Sequence, residues 1–143
     1  AQLIAALEIY RSRFKPSPQL ARPYAMVGAN IIAADTEREA RRLATTQQMS
    51  FADIFRGARG LSHPPIDDIE SYWSPMEKSQ AKEMLARSIV GTRDTVRTGI
   101  DALVTETGAD ELMVVSDVYD HAARLHSFNL IAEAGRESGR KAL

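Results

Sequence analysis

The sequence predicts a parallel α/β protein, and two observations carry that prediction. The stretch IVGTRDTVRTGIDALVTETGADELMVVSDVYDH, Ile89 to His121, reads as strand, helix, strand. The same order of a short apolar run followed by a helical pattern recurs about three times along the chain. Strand, helix, strand in series implies a right-handed crossover between parallel strands. It also places Gly91, Thr92, Ser116 and Asp117 at the C-terminal ends of strands, where parallel α/β folds hold their chemistry.

The elements follow in order. Leu3, Leu7, Tyr10 and Phe14 share one face of a first helix, which Pro16 and Pro18 end because neither can donate the next amide bond. Tyr24 to Ala34 is an apolar run whose Val27, Ile31 and Ile32 favour a strand. Gly28 within it points to a bulge or a close backbone approach. Thr36 and Glu39 form a capping-box pattern at the start of a long helix. Its inner face is expected at Ala40, Leu43, Ala44, Ile54 and Phe55. Gly57 to Pro65, with two Gly and two Pro, breaks regular structure. Ile66 to Trp73 is ambiguous and has room for one helical turn. Ser74-Pro75-Met76-Glu77 is a strong helix start, with an N-cap Ser, Pro in the first turn and Glu at the capping-box position.

After that helix, Ile89 and Val90 begin the second strand and Thr92 offers a hydroxyl as N-cap. Val96, Ile100, Leu103 and Val104 recur at helical spacing, and Gly108 can take the left-handed conformation after the last turn. Leu112 to Val115 is too short for a helix and is expected to be a strand buried on both faces. A last helix starts near Asp120, carries Ala122, Leu125, Ile131 and Ala132 inward, ends at Gly135 and leaves a frayed polar tail to Leu143.

Composition excludes several function classes. The chain has 143 residues, 44% apolar and 26% charged, and a net charge of −1. Charge this balanced and dispersed gives no footprint for nucleic acid or an acidic membrane. Without cysteine there is no disulfide and no thiolate metal site, which suits a reducing, cytoplasmic setting. No apolar run approaches the roughly 20 residues that span a bilayer. We read no signal peptide, and Ala1 opens directly into a helical pattern, as expected of a segment that continues a longer polypeptide.

Three stretches taken together narrow the fold further: NIIAADTEREARRLATT, IVGTRDTV and TGADELMVVSDVYDHAARLHSFNLIAE. Their order and spacing closely resemble the C-terminal part of the luciferase-like flavin-dependent monooxygenases, from about Leu7 to Ala134. The resemblance implies the last three strand–helix units of a (β/α)₈ barrel, with residues 1–143 as one helix-rich C-terminal segment of an incomplete barrel. It also implies reduced FMN, or in the wider superfamily the deazaflavin F420, with molecular oxygen and a small organic substrate, and reduced flavin supplied by a reductase. Most flavin contacts of the family lie in strands absent here. The segment alone is therefore expected to be inactive and to self-associate or pair with the missing half through apolar strand edges near Val27–Ala33 and Leu112–Val115. A non-enzymatic α/β interaction module of the same ancestry remains the alternative.

Candidate site residues each carry two readings. Ser116, Asp117 and Tyr119 follow the last strand: flavin or substrate contacts, or a loop in which Asp117 or Asp120 caps the last helix. Gly91 and Thr92 offer an anion a helix N-terminus, or simply cap it. Residues 57–74 lie where the family carries a variable segment near the site. They are a lid with Tyr72 and Trp73 on its apolar side, or a surface loop anchored by Trp73. His63, His121 and His126 are the only histidines, and their spacing does not build a metal site.

Overall fold

The computed structural model describes residues 2–58 and 60–139. Ala1, Arg59 and the tail at 140–143, part of the expected frayed end, lie outside them. The order is α1 (Gln2–Arg13), β1 (Met26–Ala33), α2 (Glu37–Arg56), a 3₁₀ turn (Ile69–Ser71), α3 (Pro75–Met84), β2 (Ile89–Gly91), α4 (Arg93–Thr107), β3 (Glu111–Val115) and α5 (His121–Gly139).

All strands run parallel, as the crossover argument requires, but the sheet order is β2-β1-β3: the parallel pair expected between β2 and β3 does not form, because β1 lies between them, and this is not the β1-β2-β3 order of three successive barrel units. β3 lies along the first half of β1, Met26 against Glu111 through Asn30 against Val115. β2 lies along the other side of its last residues, Ile31 against Ile89 through Ala33 against Gly91. β1 is thus the central strand and the outer strands are β2 and β3; the edge expected near Val27–Ala33 is corrected in part, since Ile31–Ala33 pair with β2 while Met26–Asn30 pair only with β3. Asp110 sets the register at the start of the long ladder. Its carboxylate accepts the Ala25 amide at 2.8 Å, and its own amide donates to the Ala25 carbonyl at 2.9 Å.

The two sheet faces differ. Val27, Ala29, Ile31 and Ala33 alternate onto one face. Ala29, Ile31 and Ala33 there pack with Val96, Ile100 and Leu103 of α4 and Ile131 and Ala134 of α5. Ile32 and Ala34 point the opposite way and meet Ala40, Leu43 and Ala44 of α2 together with Val118. α2 therefore covers only the C-terminal end of the second face. The rest of that face carries Met26, Gly28 and Asn30 beside Glu111, Met113 and Val115, with Met113 56% and Val115 51% exposed. The expectation that Leu112–Val115 is buried on both faces is therefore corrected: one helical layer covers one face.

Other boundaries also shift. Gly28 sits in an unbroken ladder with nothing within 4 Å of an added Cβ, so it marks neither bulge nor close approach. Ile54 and Phe55 are exposed, because α2 outruns the sheet and only its first turns reach the core. Val104 is exposed and Thr107 takes the buried position one turn on. In α5 the inward residues are Ala123, Ser127, Leu130, Ile131 and Ala134, whereas Ala122, Leu125 and Ala132 are exposed. That helix continues past Gly135 to Gly139.

Start signals fared better than faces. Ser74 and Glu77 make the full reciprocal capping box. Thr36 makes its half, accepting the Glu39 amide at 3.2 Å, while the Glu39 carboxylate turns to Arg42 instead. Gly57, at φ 69°, and Gly108, at φ 57°, end α2 and α4 in the left-handed conformation that a Cβ disfavours.

Candidate functional site at the strand ends

Parallel pairing brings Asp35, Thr92 and Ser116 to the same end of the sheet, each just past its strand. Beyond Val115 the chain turns away from β1, which runs three residues further. The Ala33 amide that β3 leaves behind donates to Ser127 Oγ of α5 at 2.9 Å. That hydroxyl also bonds Ser116 Oγ at 3.0 Å, and both serines are buried. Ser116 thus holds the loop from beneath. Asp117 is half-buried and Tyr119 is 51% exposed, so these two are the open residues of the loop. Between them, Val118 is buried against α2. Asp120 caps α5, accepting the Ala123 amide at 2.8 Å. His126 meets Asp35 at 3.0 Å across the strand end, and His121 accepts from Arg124.

The start of α4 is built differently from the sequence expectation. Thr92 occupies the N-cap position but its hydroxyl caps nothing. An acidic group from α2 stands there: Glu37 Oε1 accepts the Thr92 amide at 3.0 Å, the Thr92 hydroxyl at 3.2 Å and the Thr95 hydroxyl at 2.6 Å. The Thr92 amide first, and then the Thr95 hydroxyl, hold this carboxyl below its ordinary range. A Cβ on Gly91 would lie 2.5 Å from Thr95 Cγ2 and 2.8 Å from Glu37 Oε1. The anion seat expected at Gly91 and Thr92 is filled by the protein's own carboxylate.

Residues 60–74 run back along α2 and are bonded to it repeatedly. The Thr46 hydroxyl donates to the His63 carbonyl at 2.9 Å, and the Ile66 amide donates to Thr45 Oγ1 at 2.9 Å. Asp53 accepts the Tyr72 hydroxyl at 2.7 Å and meets the His63 ring at 3.0 Å. Burial, and then the Asp53 carboxylate, raise the Tyr72 phenol above its ordinary range. Arg56 binds Glu77 and the Tyr72 carbonyl, both at 2.6 Å, and stacks 4.6 Å over the Tyr72 ring. Trp73 is buried with Ala52 and Ala81. Tyr72 and Trp73 therefore sit away from Ser116, Asp117 and Tyr119, on the outer side of α2.

Sequence reasoning missed Glu37, Thr45, Thr46, Asp53 and Ser127. One signal was available: Thr45, Thr46 and Gln47 interrupt the apolar face of α2, and polar residues in core positions require partners. Nothing local marks Glu37 as the cap of a helix more than fifty residues away. Among the described residues no cluster of His, Asp or Glu could hold a metal ion, and no helix is long and apolar enough to cross a membrane.

The fold and its strand-end loops define a helix-rich α/β protein with a small parallel sheet. No family model matches the chain. Relatives do. A luciferase-like monooxygenase of Escherichia coli (strain K12) is 46% identical over 135 residues, which cover 94% of this chain and 40% of that protein. The uncharacterized protein YvbT of Bacillus subtilis (strain 168) is 44% identical over 93% of this chain and 40% of its own length. Among solved structures, apo-MsnO8 superposes with a TM-score of 0.74 at 28% identity, over 94% of this chain and 41% of that one. The chain has homologues named luciferase-like monooxygenase, is consistent with a C-terminal segment of that family, and spans about 40% of the length of the relatives it matches.

Proposed function

We propose that the chain forms one wall of a flavin-dependent monooxygenase built as a (β/α)₈ barrel, which uses reduced FMN and molecular oxygen on a small organic substrate. One observation carries the reading: the long ladder of β1 and β3 has helices on one face and an uncovered strip on the other, Met26, Gly28, Asn30, Met113 and Val115, with Glu111 at its lower end. Barrel strands have this asymmetry, with helices outside, side chains filling the interior and the pocket opening at the C-terminal strand ends. On this reading β1 and β3 are neighbouring staves, and the three-residue β2 flanks the mouth.

The residues present fit the flavin ring and not its phosphate. The upper end of the strip, Asn30 beside Val115 and just below Asp117 and Tyr119, offers a flat ring its surface. The helix start best suited to a phosphate is occupied by Glu37. Reduced FMN supplies the reaction with molecular oxygen, while the chain supplies a dry wall and Asp117 and Tyr119 at the rim. The phosphate is then held by residues beyond this segment, and the segment alone does not turn over.

The test is FMN binding by flavin fluorescence in the protein at its full natural length, with Met113→Lys as the variant. Placing a long ammonium side chain in the strip should weaken FMN at least about tenfold, because it crowds the surface the ring needs and its charge, once covered, is only partly offset by Glu111 on the same face. Unchanged FMN affinity in that variant, or no FMN binding by the unaltered protein, would overturn the assignment.

A further inference from the structure

Beside the strand ends, between the start of α2, the returning segment and β2, lies a cleft of about 810 Å³. Its walls bear Arg38, Arg41 and Arg42, and Ala44, Ile69 and Val90 give it apolar surface. Two carboxylates, Glu39 and Asp67, also line it, and both are committed to one guanidinium. Arg42 meets Asp67 at 2.9 Å and Glu39 at 3.4 Å. Arg41 has only Glu37 at 3.6 Å, and Arg38 forms no ion pair among the described residues. The Gln48 side chain lines the same cleft, and its buried Oε1 has no hydrogen-bond partner among the described residues.

Two under-paired guanidiniums and an apolar floor are what an organic anion requires: planar donors for the head group and dry surface for the body. We propose that this cleft binds such an anion, a carboxylate, sulfonate or phosphate on an apolar body, and that the substrate of the proposed monooxygenase belongs to this class. The second half rests on the monooxygenase reading; the binding itself does not. Asp67 is 90% exposed and holds the inner guanidinium that an entering head group needs. It is displaced on binding, which loosens the returning segment at that point.

The experiment is calorimetric titration of the full natural-length protein with hexanoate, its neutral counterpart hexanamide, and inorganic phosphate. Hexanoate should bind about tenfold or more tightly than hexanamide, since a charge-assisted guanidinium pair is the only difference between them. Phosphate should bind weakly and compete with hexanoate. The double variant Arg38→Met with Arg41→Met should erase the preference, and Asp67→Asn should strengthen hexanoate binding by removing its rival. Equal binding of acid and amide, or indifference to both sets of substitutions, overturns the proposal. A loss of affinity for FMN but not for riboflavin in the arginine variant would assign the cleft to the cofactor phosphate and overturn its assignment to the substrate. None of the hexanoate titrations needs flavin, so failure here is distinct from failure of the monooxygenase reading.

Discussion

Ser127→Ala tests how the strand-end loop is held. Ser127 is fully buried, and its hydroxyl accepts from the Ala33 amide at 2.9 Å while bonding Ser116 at 3.0 Å. Removing it strands a backbone N–H where water cannot reach, a cost of about 1–3 kcal/mol. Ser116 also loses its partner, which adds roughly 1 kcal/mol. Ser116→Ala differs in kind: Ser127 keeps the Ala33 amide, no backbone group is orphaned, and the loss is one net hydrogen bond of about 1 kcal/mol. Urea unfolding midpoints of the two single variants and the double variant measure this directly. Ser127→Ala should be the worse by at least about 1 kcal/mol. The double variant should fall short of the sum of the singles, since the two serines share one bond. If Ser116→Ala costs as much as Ser127→Ala, the Ala33 amide does not depend on Ser127 and the account of the loop fails.

Two further perturbations address the helix starts. Gly91→Ala drives a Cβ into Thr95 and the Glu37 carboxylate, at 2.5 and 2.8 Å, and should cost about 1–3 kcal/mol by overpacking. An unfolding midpoint equal to that of the unaltered protein would mean that the Glu37 contact is loose. Glu77 is held at about 2, chiefly by the Arg56 guanidinium and then by the Ser74 amide, below an ordinary value of 4.5. A carboxyl lowered in the folded state stabilises above its unfolded value and loses that contribution as pH falls through the folded one. The stability gap between the protein and its Glu77→Gln variant should be full at neutral pH, narrow below about 4.5 and close towards 2. A gap that stays constant over that range in urea titrations would dissociate Glu77 from Arg56.

Legibility followed the range of the interaction. Ser74, Pro75 and Glu77 announce a helix start because the capping bonds join residues three apart. Gly57 and Gly108 announce helix ends because the left-handed conformation is a property of one residue. Ile54, Phe55 and Leu125 misled because helical spacing shows that a face exists, not how far its neighbour extends. The candidate site was legible as a place, the strand ends, and not as contacts. Ser116 was visible as a strand-end residue; that it would face Ser127 depended on where α5 docks.

The sequence by itself determined the alternation of strands and helices, their parallel sense, the helix starts and the family likeness, because each resides in local spacing or in short ordered motifs. Tertiary structure alone decided that β1 is the central strand, that the second face of β3 is uncovered, that Glu37 fills the anion seat of α4, and that three arginines gather round one cleft. The physical reason is common to all four. They are outcomes of which surfaces compete for the same neighbour, and that competition is settled only when elements distant in sequence pack together.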